Sequence, residues 1–483
     1  MVSTRTADLL SIVQSGLKPR AINSKKIIVV GAGMAGLVAG YELKRAGHDV
    51  KILEARERVG GRILTLREPF SNGLYAEAGA MRLPSTHKLV HTYAQKLGVQ
   101  TTGFTRANPN SFFYINGRKH LRSEVEHDPA SLGLDFAGPK GDRTVVQLWG
   151  DLIHQTAERL EADAGYWDEL RNRYGDYSFY NFLRSQQWST DAISAFALIE
   201  GLETILDTAI LHVLQLELQW LGADMTRIVG GMDRLPMAFL PELEDHIQFG
   251  AEMVALDYTA DSVTIHYRNH AAGPNLVAGD FAIVTLPYSV LRFVDVLKPF
   301  SPGKQIAVRQ LHYIDATKVF LQCRRRFWEE DDGLFGGATI TDLPIRQIHY
   351  PDHNRETKQG VLMGSYTYGE EAKRWTSRSP EDRVAQTLKY VAMIHPQVTR
   401  EYEKGVSKVW SEDQFSGGAF AVFEPGEEAR LSAYLATPEG PIHFAGEHTS
   451  YKKRQWIEGA VESGLRTAQE VHERSLRQTQ DRR

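Results

Sequence analysis

At 483 residues the chain exceeds what one simple hydrophobic core supports, so two or three domains are expected. Hydrophobic residues make up 42% and charged residues 24%, with a formal net charge of −4; this fits an ordinary globular protein and excludes the basic footprint of a nucleic-acid binder. A single cysteine, Cys323, excludes any disulfide framework within the chain.

The first segment, MVSTRTADLLSIVQSGLKPR, lacks the apolar core of a secretory signal. Leu9, Leu10, Ile12 and Val13 mark one face of a short amphipathic helix. The longest apolar run, Ile27 to Tyr41, is broken by four glycines and is too short to span a bilayer. A cytoplasmic protein with no membrane and no nucleic-acid partner is the expectation.

Ile27 to Val30 is a β-branched run with the pattern of a buried parallel strand. Gly31-Ala-Gly33-Met-Ala-Gly36 follows at once. Leu37 to Ala46 has helical spacing and Gly47 ends it. Asp49 to Leu53 reads as a second strand, with Glu54 at its C-terminal end. This is the pattern of a pyrophosphate cradle. Gly31 turns the chain, Gly33 lets backbone approach phosphate, and Gly36 lets helix and strand pack closely. The helix start offers unpaired N–H groups to an anion. Glu54 is placed for ribose hydroxyls. Arg56, Arg58, Gly60, Gly61 and Arg62 then form R-x-R-x-x-G-G-R, and a guanidinium there can neutralise a pyrophosphate.

The segment YAEAGAMRLPSTHKLV, Tyr75 to Val90, carries Arg82; its bland alternative is a structural pair with an acid such as Glu77. Asp142 to Ala223 shows helical patterns and no strand. Ile228 to Leu243 reads as a Gly-rich turn entering a helix, Phe249 to Tyr267 as a hairpin, and Asp280 to Arg292 as a strand and turn. KVFLQC is a buried strand, with Lys318 at its start and an inert thiol, Cys323, at its end. Ile442 to Phe444 is a strand running into Ala445-Gly446-Glu447, and Gln455 to Val471 is a helix. The tail RSLRQTQDRR is polar and expected to fray. No repeat or low-complexity segment is present.

In this order, from about Leu9 to Val471, the motifs resemble those of the flavin amine oxidase superfamily and, within it, the L-amino-acid oxidase family. The resemblance implies an α/β plus α+β fold. A discontinuous Rossmann-like FAD-binding domain would use residues 25–64, 228–312 and 436–475. A substrate-binding mixed-sheet domain would use 1–24, 65–135 and 313–435, and a helical domain 136–227. The implied cofactor is FAD, held non-covalently, since the glycine-rich C-terminal region has no cysteine to attach it. Its implied contacts are Gly31, Gly33, Met34, Ala35, Gly36, Glu54, Ala55, Arg56, Gly61, Arg62, Met81, Arg82, Val254, Gly446, Glu447, Trp456 and Ile457.

For the substrate, the resemblance implies a carboxylate on Arg82 and Tyr366, with Tyr368 as the alternative if the register slips. Trp456 would form an aromatic wall. Lys318 would hold a water against the flavin, and Ala419 and Phe420, in a Gly-Gly loop from Trp410 to Glu427, would line the pocket. The implied reaction is oxidative deamination of an L-amino acid by dioxygen to a 2-oxo acid, ammonia and hydrogen peroxide. An amine or polyamine oxidase and an amino-acid 2-monooxygenase are the alternatives, and a homodimer is the implied assembly. The chain departs from the family pattern in places. Gln215 stands where some members carry a histidine, with His212 three residues away. Gln455 stands where a small residue is common. Lys452, Lys453 and Arg454 read as a solvated face. Glu203, Asp207 and Glu217 are acids that could meet a cationic side chain.

Overall fold

The computed structural model describes residues 2–21, 23–269, 273–354 and 356–480. Helix α1 (Val2–Ser15) precedes strand β1 (Lys26–Val30), helix α2 (Met34–Arg45) and strand β2 (Asp49–Leu53). These belong to a five-stranded sheet whose order across is Ile247–Gln248, β2, β1, Phe281–Val284, Ile442–Phe444, every neighbour parallel. Numbered along the chain that order is 3-2-1-4-5, so the strand sequence reverses beside β1. In such a sheet the crevice at the strands' C-terminal ends is where a ligand sits.

The alternation of β1 decides what covers each face. Ile27 and Val29 pack with Leu37, Val38 and the C-terminal helix residues Val461 and Leu465. Ile28 and Val30 point the other way, into a core shared with Met253, Leu256 and Ile265. Those three belong to an antiparallel sheet of Ala251–Tyr258, Val263–Asn269 and Gly273–Gly279, which covers the second face. Both faces are thus dry, as an all-apolar parallel strand requires. Helix α1 buries Leu9, Ile12 and Val13 in the first of these cores, against the region of helix α3 (Lys88–Lys96).

The stretch expected to be helical is so. Its core is aromatic: Trp149, Phe179, Phe196 and Trp188 meet edge to face or tilted. Thr144 and Gln147 form a capping box, and Ser178 and Ser189 cap the helices Phe179–Ser185 and Thr190–Glu200. This bundle ends in helix α4 (Ile210–Trp220).

A second, seven-stranded sheet is mixed. Its order is Tyr402–Val409, β3 (Ala316–Cys323), β4 (Gly360–Tyr368), Gln347–His349, Ala338–Thr341, Phe112–Ile115, Arg118–Leu121. All eight residues of β3 are buried. In the antiparallel register of β3 and β4, Lys318 lies opposite Tyr366 and Ala316 opposite Tyr368. The period of two therefore puts Lys318, Tyr366 and Tyr368 on one face. Cys323, at the end of β3, is fully buried and its thiol is pushed up to about 12, chiefly by burial.

The final helix, α5 (Ile457–Gln480), packs along α2. It corrects the expectation of a frayed tail, because the helix continues to Gln480; 481–483 lie outside the described residues. The segment Ile228 to Leu243 is not one helix. It forms two short helical turns, Arg234–Met237 and Leu240–Leu243, each holding a proline. Among the described residues no helix is long and apolar enough to cross a membrane.

Candidate active site

One cavity of about 1040 Å³ runs from the C-terminal edge of the parallel sheet to the face of β3 and β4. The volume is at the upper end for a small-molecule site, enough for a large cofactor and a small substrate together. Of the residues singled out in the sequence, Gly31, Gly33, Met34, Ala35, Glu54, Ala55, Arg56, Gly61, Arg62, Met81, Arg82, Lys318, Tyr366, Ala419, Gly446, Glu447, Gln455, Trp456 and Ile457 all line it. So do Tyr368, Phe420 and His212.

Two of the implied FAD contacts do not. A side chain at Gly36 would put Cβ 1.9 Å from the Gly31 carbonyl oxygen, so this glycine lies behind the cradle and lets α2 close on β1. Val254 falls at an irregularity in the pairing of Ala251–Tyr258 with its neighbour, while Ala251, Glu252 and Met253 line the cavity.

The cradle fits an adenine dinucleotide. A Cβ on Gly33 would meet nothing within 4 Å, so backbone there is open to the cavity beside the start of α2. Glu54 is buried at the end of β2, and its two oxygens accept from the Ala32 N–H at 2.7 Å and the Arg56 N–H at 2.9 Å. Each oxygen keeps a lone pair for a hydroxyl donor. Arg56 reaches across to Asp413 and to Ser416 Oγ at 2.9 Å. Arg62 pairs with Glu447 at 2.8 Å and donates to the Ala419 carbonyl at 3.0 Å. Glu447 also accepts from the N–H groups of Gln455 at 2.8 Å and Ala421 at 3.2 Å. Arg58 turns back instead and holds the carbonyls of Val59, Gly61 and Ile63.

At the far end, Arg82 precedes the short strand Leu83–Pro84, which pairs with Met225–Ile228 just after α4. That connection sets its guanidinium 4.5 Å from the Trp220 ring and 5.8 Å from the Phe104 ring. Among the described residues no carboxylate pairs with it. Glu77, the acid proposed as a structural partner, is taken by Thr65 Oγ1 at 2.9 Å and the Met232 N–H at 2.8 Å. Burial, and then the charge of Arg106, pull the Arg82 pKa down to about 10, so it stays cationic at neutral pH. Its field lowers the Tyr366 phenol, although burial raises that group overall.

Lys318 Nζ donates to the carbonyls of Gly79 at 2.7 Å and Glu77 at 3.0 Å and lies 4.9 Å from the Tyr366 ring. Burial drives it down to about 7, with Arg82 adding to the fall and Glu77 opposing it. Trp456 meets the rings of His87 and Trp220 at 5.0 and 5.3 Å. Gln455 holds a left-handed φ of 70° and its amide meets His212 Nε2. His212 is pushed down to about 3 by burial and Arg454, so the ring is neutral.

One sequence reading changes here, and the structure places residues that the sequence left open. Arg454 is not solvated: it is 3% exposed, lies over Phe423 at 3.9 Å and donates to Gln215 Oε1 at 3.4 Å. Gln215 is off the cavity wall while His212 is on it. Of the three acids, Glu203 pairs with Arg346, Asp207 is off the wall, and Glu217 lines it. Glu200, Arg106 and His349, marked by no motif, also line the cavity. His349 is held neutral, at about 3, by burial and the charges of Arg82 and Lys318.

A cradle for a dinucleotide, joined by one cavity to an unpaired guanidinium and a deprotonatable lysine, defines a cofactor-dependent enzyme of small molecules. Residues 34–472 match the model of the flavin-containing amine oxidoreductases, and the chain belongs to that family. FAD is therefore its cofactor. The chain is 37% identical to a Bacillus subtilis (strain 168) protein named "Putative L-amino-acid oxidase YobN", over 98% of this chain and 99% of the relative. It is 32% identical to the L-amino-acid oxidase of Vipera ammodytes ammodytes, over 97% and 96%. Among solved structures, cyclohexylamine oxidase from Brevibacterium oxydans IH-35A is similar with a TM-score of 0.75 and 17% identity, over 94% of this chain and 99% of that one. Putrescine oxidase bound to putrescine has a TM-score of 0.73 and 21% identity, over 93% and 99%. These two likenesses speak to the fold alone.

Proposed function

We propose that this flavoenzyme oxidises L-amino acids to 2-oxo acids, releasing ammonia and hydrogen peroxide. The observation that carries the reading is Arg82: a cationic guanidinium on the cavity wall, flanked by aromatic rings and with no acid of its own among the described residues. A planar carboxylate matches such a fork bidentately. An amine without a carboxylate would leave that charge unanswered.

In this reading Arg82 binds the substrate carboxylate and the Tyr366 hydroxyl gives it a second donor. Trp456 walls the site and fixes the plane of approach, which converts binding into orientation of the Cα–H bond. FAD, held by the cradle of Gly33, Glu54, Arg62 and Glu447, would supply the two-electron oxidising chemistry that links the Cα–H bond to dioxygen. The substrate enters with its amine neutral, so no base is required to strip it. Lys318, neutral above about pH 7, keeps two N–H groups on the Glu77 and Gly79 carbonyls and presents its remaining position to a water. Hydrolysis of the released imino acid completes the balance: amino acid, dioxygen and water give oxo acid, ammonia and peroxide.

The test is a peroxide and oxo-acid assay of purified holoenzyme over L-amino acids, D-amino acids and primary amines. Oxo acid and peroxide from L-amino acids only is the expected result. Oxidation of amines in preference to amino acids sinks the reading in favour of an amine oxidase. Amide product without free peroxide indicates a monooxygenase.

A further inference from the structure

The stretch of cavity wall along α4 carries two carboxylates that the chemistry above does not use. On α4, His212, Leu216, Glu217 and Trp220 line the wall, one helical face by spacing. Glu200, the last residue of helix Thr190–Glu200, joins them. Among the described residues neither carboxylate is in an ion pair. Arg106 is the cation whose charge reaches both. Its guanidinium lies 4.4 Å from the Trp220 ring, the same ring that Arg82 approaches. Arg122 reaches Glu200 as well but is paired with Glu126 at 3.6 Å.

Two carboxylates thus share essentially one guanidinium, and once a substrate carboxylate occupies Arg82 this wall is short of one positive charge. Glu200 is exposed to the cavity, whereas Glu217 is half-buried and is raised to about 7, first by burial and then by the charge of Glu200. That rise reports a cost of ionisation which an incoming cation would relieve. Tyr368 lines the same cavity, on the sheet face that carries Lys318 and Tyr366. Trp220 lines it as well, and aromatic walls of this kind suit an aliphatic stem.

Resting on the amino-acid reading, we propose that Glu217 and Glu200 select the substrate side chain: the preferred L-amino acids end in a cationic group, a guanidinium or an ammonium, held at these two carboxylates. The α-carboxylate on Arg82 and the side-chain cation at Glu217 would grip the substrate at both ends.

The holoenzyme is assayed with L-arginine, L-lysine and L-leucine. Binding of 5-guanidinopentanoate and of hexanoate, which lack the α-amine and cannot react, is followed by flavin absorbance. A preference of roughly tenfold or more in kcat/KM for the basic amino acids, and tighter binding of the guanidino acid by a similar factor, is expected. Glu217→Gln and Glu200→Gln should each shrink both ratios, and the double variant should bring them near unity. Equal or better use of L-leucine overturns the proposal while leaving the amino-acid reading intact. Ratios unchanged in the double variant also overturn it. Oxidation of amines with no amino acid turned over removes both. The binding ratio on the unaltered enzyme needs no variant to fold.

Discussion

Arg82 sets its positive charge against aromatic faces, each such contact contributing about 0.5–2 kcal/mol, and not against an acid. Replacement by lysine keeps the charge and loses the fork. Arg82→Lys should therefore cut kcat/KM for L-amino acids by about 100-fold, and Arg82→Ala by more, since an unpaired carboxylate is left in the cavity at a cost of roughly 2–5 kcal/mol. Steady-state kinetics on flavin-loaded variants measures this; losses under threefold would refute the assigned role. Cys323 offers a second test. Its thiol is fully buried and pushed up to about 12, so Ellman's reagent should leave the native protein unmodified and titrate the thiol only after denaturation. Much of the site was legible at this scale because Gly31, Glu54, Arg82, Lys318 and Trp456 sit in short local motifs. Glu200, Arg106 and His349 were not, since only the packing of separate segments brings them to one cavity. Arg454 misled for the converse reason: within Lys452-Lys453-Arg454 it looks solvated, and its burial is decided by Phe423 and Gln215 from distant segments.

At the scale of elements, helices borrow their caps from elsewhere. Glu458, in the first turn of α5, accepts from the N–H groups of Leu89 at 3.0 Å and Val90 at 2.9 Å, the first turn of α3. Two orphan donors are satisfied across a sequence separation no motif would reveal. Glu458→Ala should cost about 1–2 kcal/mol in chemical denaturation, whereas Glu458→Gln keeps an acceptor and should cost less. Burial raises this carboxyl to about 7, against an unfolded value near 4.5. The folded state therefore holds the proton more tightly, and the associated stability is full at pH 4 and lost as pH rises through 7. Glu458→Gln removes that slope, so the fall in Tm between pH 5 and pH 8 should be smaller in the variant. Strands were legible here from β-branched runs, and β1, β2 and β3 stand close to where the sequence placed them. Helix limits were less so: α2 begins at Met34, not Leu37, because its glycine-rich first turn shows no apolar period. The stretch after Ile228 breaks where proline interrupts the backbone bonding.

For the whole molecule, the cavity is walled by segments from both ends of the chain and from its middle. Arg56 ties the loop after β2 to Asp413 and Ser416, and Arg62 ties the same loop to Glu447. A cofactor lying across these ties binds the folded state alone, so FAD added at 100 times its Kd should stabilise deflavinated protein by about 2.7 kcal/mol. A thermal shift that rises with FAD concentration is the expected signature, and no shift would argue against the cradle. The family was legible in the sequence because the order of its motifs survives along the whole chain. The proposed side-chain preference was not, because it depends on the direction in which α4 turns Glu217.

The parallel sheet also bears on how the protein is made. Its central strand, β1, leaves the ribosome early, yet its neighbour Phe281–Val284 and the strand beyond, Ile442–Phe444, emerge much later. At synthesis rates of about 5–20 residues per second, the nascent segment waits tens of seconds for those partners. Cofactor capture is then a post-translational event, and a chain stopped at residue 435 should emerge colourless and prone to aggregate however much FAD surrounds it.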